Sequence, residues 1–283
     1  MLRNREKPPY ALPTIFTVGT LFCGYYCLMK TVQAISLGAD GVAQAAILYN
    51  HAAIAIGLAV FTDGLDGYVA RATGAVSDFG REIDSLADCI TFGVAPATLA
   101  FAWGVRGLEL QSQLWLADLL PRLGYLLAFL YLTCGAARLA RFNVQTNPKP
   151  KNPGRPGKRY FVGLPIPSAA GMLAAVIHAR GGYPIESWWP AGVLWLALIA
   201  LLAYLMVSTW RYTSMKELGF SGNPLLGFIF PAVLLFLIWN FSEPVLLLMA
   251  TVYVSSGILS RIAWIWRKKQ HKPPLPPEAE QPS

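Results

Sequence analysis

Charge is scarce in this chain. Only 13% of its 283 residues are Asp, Glu, Lys or Arg, while 55% are hydrophobic. A soluble domain carries roughly 25% charged residues, so the deficit argues against a soluble all-α protein. Histidine is scarcer still: His51, His178 and His271 are scattered, which excludes a histidine metal centre. The four cysteines, Cys23, Cys27, Cys89 and Cys134, all fall in apolar segments. They read as small reduced core residues and exclude a disulfide framework or a zinc site. No internal repeat is present, and no polar stretch is long enough to fold as a separate domain. No segment reads as a cleavable leader, because the first apolar run is long enough to span and lacks a small-residue cleavage site.

What the chain has instead is apolar runs of about 20 residues, the length that crosses a bilayer. Eight are expected, at about 12–37, 43–73, 80–105, 123–142, 161–179, 188–209, 224–241 and 244–266. The expected fold class is therefore an all-α integral membrane protein of about eight transmembrane helices. Residues 1–11 read as a cytoplasmic basic arm, 12–266 as a single transmembrane domain, and 267–283 as a disordered cytoplasmic tail. Residues 106–122 read as an amphipathic linker. Residues 145–160, rich in Pro, Gly, Lys and Arg, read as a surface loop.

The net charge of +8 fits the positive-inside rule and attraction to anionic headgroups, not nucleic-acid binding, for which a soluble basic domain is wanting. With both termini inside, 18 Lys and Arg fall on the inner side and four (Lys30, Arg106, Arg122, Arg180) on the outer. That asymmetry predicts a multi-pass protein of the cytoplasmic membrane with both termini on the cytoplasmic side.

Residues 61–93 carry the chemistry. Asp63, Asp66, Asp84 and Asp88 lie inside or at the edge of apolar segments, where ionised groups are costly and usually functional. At about 100° per residue, Asp66 falls about 60° from Asp63, and Gly67 and Ala70 share that face. Asp88 falls about 40° from Asp84, with Gly80 beside it. Two helix ends thus present two carboxylates each, and the small residues leave room for a ligand or a backbone. Asp78 and Glu82 point elsewhere and read as solvated charges. Four facing carboxylates need neutralising. Arg71 and Arg81 could form a salt-bridge network with them, but all-oxygen ligation suits hard divalent cations, Mg²⁺ or Mn²⁺. Two such ions bridged by carboxylates are a usual device for phosphoryl-type transfer.

The stretch reads D-x2-D-G-x2-A-R-x8-G-x3-D-x3-D, through Asp63, Asp66, Gly67, Ala70, Arg71, Gly80, Asp84 and Asp88. It resembles the signature of the CDP-alcohol phosphatidyltransferases. The resemblance implies a six-helix core, here with two further C-terminal helices, and a homodimer. It implies that Asp63, Asp66 and Asp84 ligate two divalent metals, and that Asp88 completes the second site and acts as general base. It also implies that Gly67, Ala70, Arg71 and Gly80 line the CDP pocket. The residues agree with the chemistry: an alcohol nucleophile needs a positioned base, and Asp88 lies one turn deeper than Asp84.

Three more segments, 12–26, 137–145 and 161–171, are similar to those of family members that use L-serine, although Thr14 and Thr20 stand where those members usually carry Asn. The implied substrates are CDP-diacylglycerol and L-serine. Arg138, Arg141 and Asn143 are the candidates for binding the acceptor, since a carboxylate calls for Arg; positive-inside anchoring is the plainer reading of the two arginines. Ser168 reads equally as part of a polar pocket or as a helix-packing residue. Glycerol-3-phosphate or an inositol phosphate is the rival acceptor. A divalent-cation transporter is the rival of another class, and against it no acidic path continues to the far side, where Asp40 and Asp118 stand isolated.

Overall fold

A computed structural model describes residues 11–38, 41–73, 78–105, 116–144, 160–185, 189–213 and 224–270. The basic arm, the loop 145–159 and the tail from 271 lie outside the described residues, as does most of the linker 106–122. All eight expected apolar runs form helices. α1 is Ala11–Ser36, α2 is Val42–Thr73, and the third run comprises α3 (Asp78–Asp88), a π turn (Cys89–Val94) and α4 (Ala95–Gly104). α5 is Leu116–Val144, α6 Ile166–Ala179, α7 Trp189–Val207, α8 Pro224–Asn240 and α9 Ser242–Gln270. Six of the described helical stretches are long and apolar enough to cross a membrane, and α6 adds a shorter apolar helix. The chain is a multi-pass membrane protein.

The outside is apolar and the inside is small, as a lipid solvent dictates. Phe22, Tyr25, Phe129, Leu194 and Leu248 are exposed on outward helix faces. The interior is dense in alanine, with Ala45, Ala52, Ala59, Ala95, Ala169 and Ala170 buried. Small residues let helix backbones approach and gain dispersion contact where the hydrophobic effect gives little. α1 packs along α2, α2 and α9 pack on α6, and α5 packs on α7. Buried ring donors lock the half of the bundle remote from the aspartates: Trp103 Nε1 donates to the Gly182 carbonyl at 2.9 Å and Trp195 Nε1 to that of Ala100 at 3.0 Å.

Four boundaries differ from expectation, each for a local reason. The third run is not one α-helix, because a π turn interrupts it at Cys89–Val94. The fifth does not begin at Phe161: Tyr160–Val162 is strand β1, paired antiparallel with β2, Arg211–Thr213. Gly163 then turns at φ +76°, and the helix starts only at Ile166, behind Pro165. α5 starts at Leu116 and takes in Pro121, at the loss of one backbone hydrogen bond. α9 runs on to Gln270.

Candidate active site

α2 is 32 residues long, or about 48 Å. That exceeds a hydrocarbon core of about 30 Å. Its apolar sequence is broken by Asp63, Asp66 and Arg71, so Asp63 sits near the end of the part that spans. α3 is strongly amphipathic, with Phe79 and Leu86 exposed and Ala87 buried. Asp84 and Asp88, one turn apart, lie on the face it turns toward α2. One carboxylate oxygen from each of Asp63, Asp84 and Asp88 falls within 4.8 Å of the others, and all three residues are half-buried. Three of the four aspartates expected to converge thus come together. Asp66, Gly67, Ala70 and Arg71 continue along α2, but their side chains lie outside the described residues. Gly80 stands one turn before Asp84 on α3. Glu82 is exposed, as a solvated charge should be.

Three oxygens at such spacing, on rigid helices, fit a hard divalent cation: carboxylate ligands with room for a phosphate or water. What holds them is packing just above. The π turn follows Asp88 directly, and Ala95 N–H reaches back to the Ile90 carbonyl. A π turn rotates the helix that follows it and frees backbone groups, and such turns are frequent at functional sites. Here the buried Tyr131 hydroxyl donates to the Phe92 carbonyl at 3.1 Å. Thr91, also buried, donates to the Thr20 carbonyl of α1 at 3.2 Å. α1 can approach this closely because it offers Gly24, where a Cβ would stand 2.8 Å from the Thr91 Cα. Thr20, one of the two departures from the usual Asn, bonds hydroxyl to hydroxyl with Thr62 at 2.9 Å. It thereby ties α1 to the residue next to Asp63.

The three acceptor-binding candidates are not equivalent. Arg141 donates through its two terminal nitrogens to the carbonyls of Val207 and Val162, both at 3.2 Å. It bridges β1 to the end of α7, and a Cβ on Gly163 would crowd its Nη2 at 3.1 Å. Asn143 exchanges bonds with Ser85 on α3, the closer at 2.9 Å, and is exposed. It fixes the end of α5 beside the helix that carries Asp84. Arg138 alone is deeply buried, at 6% exposure. Its Nη2 makes only a long contact with the Gly163 carbonyl, at 3.5 Å. Its guanidinium also lies 5.8 Å from the Phe142 ring centroid.

Tyr212 was not among the expected site residues. It lies in the C-terminal part of the chain, which carries no motif. Tyr212, on β2, is fully buried with its hydroxyl unpartnered. Burial, and then the neighbouring Tyr253, push its phenol well above the ordinary value, so it stays a neutral donor.

Comparison with known proteins agrees with the site. A family model described as CDP-alcohol phosphatidyltransferase matches residues 10–201. The chain is 31% identical over 262 residues to a protein of Helicobacter pylori named CDP-diacylglycerol–serine O-phosphatidyltransferase, covering 92% of this chain and 93% of the relative. A Bacillus subtilis protein of the same name is 31% identical over 213 residues, 73% of this chain and 92% of its own. An archaetidylserine synthase of Methanothermobacter thermautotrophicus is 32% identical over 213 residues, 75% of this chain and 73% of its own.

Proposed function

This chain belongs to the CDP-alcohol phosphatidyltransferase family, and on that premise we propose that it transfers a phosphatidyl group from CDP-diacylglycerol to the hydroxyl of L-serine. The products are phosphatidylserine and CMP. The observation that carries the reading is the convergence of Asp63, Asp84 and Asp88 within 4.8 Å, together with relatives that carry the serine activity in their names along most of the chain.

The residues divide the work. Asp63, Asp66 and Asp84 would hold two divalent ions, Mg²⁺ or Mn²⁺, and Asp88 would complete the second site. When bound, those ions neutralise the pyrophosphate and stabilise the departing CMP phosphate. Gly67, Ala70, Arg71 and Gly80 line the nucleotide pocket. Asp88 takes the proton from the serine hydroxyl as it attacks the phosphorus nearer the diacylglycerol. The new O–P bond forms as the bond to CMP breaks, and the proton remains on the Asp88 carboxylate until solvent removes it. Arg138 receives the serine carboxylate. Arg141 and Asn143 contribute by holding the walls: the first through the carbonyls of Val162 and Val207, the second through Ser85.

The enzyme is a single transmembrane catalytic domain over 12–266, acting as a homodimer in the cytoplasmic membrane. Its site opens to the cytoplasm, where CDP-diacylglycerol headgroups and serine are both reached. The test is an acceptor panel. Purified protein with CDP-diacylglycerol and Mn²⁺ or Mg²⁺ should release CMP with L-serine and not with glycerol-3-phosphate or an inositol phosphate. Release with either phosphate and none with serine would overturn the acceptor. No release with any alcohol, and metal flux through proteoliposomes, would favour a transporter instead.

A further inference from the structure

The turn that follows Asp88 sets the phase of the two aspartates on α3. α4 is fixed in the core through Ala95, Leu99, Ala100 and Trp103, all buried. α3 joins it through the π turn Cys89–Val94, across which the Ala95 N–H reaches back five residues to the Ile90 carbonyl. A π turn takes one more residue than an α turn. Were the whole run α-helical, α3 would be turned by about 100° about the helix axis relative to α4. Asp84 and Asp88 would then leave the face on which their oxygens meet that of Asp63 within 4.8 Å. The turn is thus a condition of the cluster.

The sequence holds the turn in this register from two sides. Residue 96, at the start of α4, is Pro. In an α-helix the N–H of residue 96 would serve the Phe92 carbonyl; proline has no N–H, and its ring crowds that carbonyl. A backbone acceptor left without a donor is costly inside a membrane. Tyr131 of α5 supplies one: its hydroxyl donates to the Phe92 carbonyl at 3.1 Å, and both residues are fully buried. α5 approaches closely because Gly93 has no side chain. A Cβ there would stand 3.0 Å from Cδ1 of Leu132, the neighbour of Tyr131.

We infer that Tyr131 is a positioning residue for the metal-binding carboxylates: by capping the Phe92 carbonyl it keeps the π turn, and with it the register that aims Asp84 and Asp88 at Asp63. It acts through the backbone and touches no substrate. The inference rests on the proposed function, whose chemistry needs those carboxylates together, and extends it to a residue on a helix that carries none of them.

The test measures Mn²⁺ binding to the purified full chain by electron paramagnetic resonance of the free ion, beside thermal melts and kcat with serine. Tyr131→Phe keeps the ring and removes the donor. Its Mn²⁺ affinity should fall by about ten- to a hundredfold, as for a lost outer-shell partner, and its kcat should stay below wild type even at saturating Mn²⁺. A tyrosine that only packs would lower the melting temperature and leave the Mn²⁺ affinity of the folded protein unchanged; that result overturns this inference alone. The double variant Tyr131→Phe/Pro96→Ala returns an N–H to the Phe92 carbonyl and allows the α register. Its melting temperature should recover while Mn²⁺ affinity stays low, because the aspartates are turned away. Affinity that recovers together with stability would show that the bond only satisfies a buried carbonyl, and would overturn the inference. Wild type that binds no Mn²⁺ overturns the metal site of the proposed function and this inference with it.

Discussion

Replacing Asp84 by Asn separates a metal site from a salt-bridge network. Three carboxylate oxygens lie within 4.8 Å of one another. At that spacing each ionised pair repels by about 3.5 kcal/mol for an effective dielectric of about 20, and by about 0.9 kcal/mol in water. The three groups are half-buried and not enclosed, so the lower end of that range applies. Asp84→Asn removes two of the three repulsions, worth about 2 kcal/mol together. In detergent with a chelator, the variant should therefore melt above wild type by about 4–8 °C. Saturating Mn²⁺ reverses the order. At about a hundred times its Kd, the ion stabilises wild type by about 2.7 kcal/mol, and the variant, short of a ligand, gains much less. The assay is a thermal melt of both proteins with chelator and with Mn²⁺. A variant that melts lower than wild type in chelator, with no shift of either protein by metal, would refute the reasoning. The aspartates would then be tied up by arginines as structural ion pairs.

Two further substitutions separate chemistry from architecture. Asp88→Asn should lower kcat by about 10²–10⁴, the contribution of a positioned base, while CDP-lipid binding measured by titration is largely kept; lost binding would move Asp88 from base to anchor. Arg138→Ala should chiefly raise the serine KM. Arg141→Ala should instead lower the melting temperature and leave the serine KM much less changed, because its donors are engaged by the carbonyls of Val162 and Val207. Equal KM effects in the two variants would contradict that division.

The phasing of Asp63 with Asp84 and Asp88 was legible because helical periodicity is a local property, and the structure brings those three together. The eight apolar runs were legible for the same reason: bilayer thickness sets their length. Other features depend on contacts far apart in sequence. Nothing in Cys89–Val94 announces a π turn; it is matched by Tyr131, 39 residues on, and Thr91. The three-residue strands β1 and β2 are too short to show a period, and each exists because the other is there. Arg138 and Arg141 look alike in the run Arg138–Asn143. Only the packing of Gly163 and α7 shows that one holds backbone carbonyls while the other keeps an unmet donor.

The central claim is a phosphatidyl transfer to serine, and a double-label experiment tests it most directly. CDP-diacylglycerol labelled with ³²P at the phosphate next to the glycerol, incubated with ¹⁴C-serine, Mn²⁺ and purified protein, should yield one lipid carrying both labels, with one CMP released for each. Phosphatidic acid carrying ³²P without ¹⁴C, appearing one-for-one with CMP, would show water to be the acceptor and contradict the account.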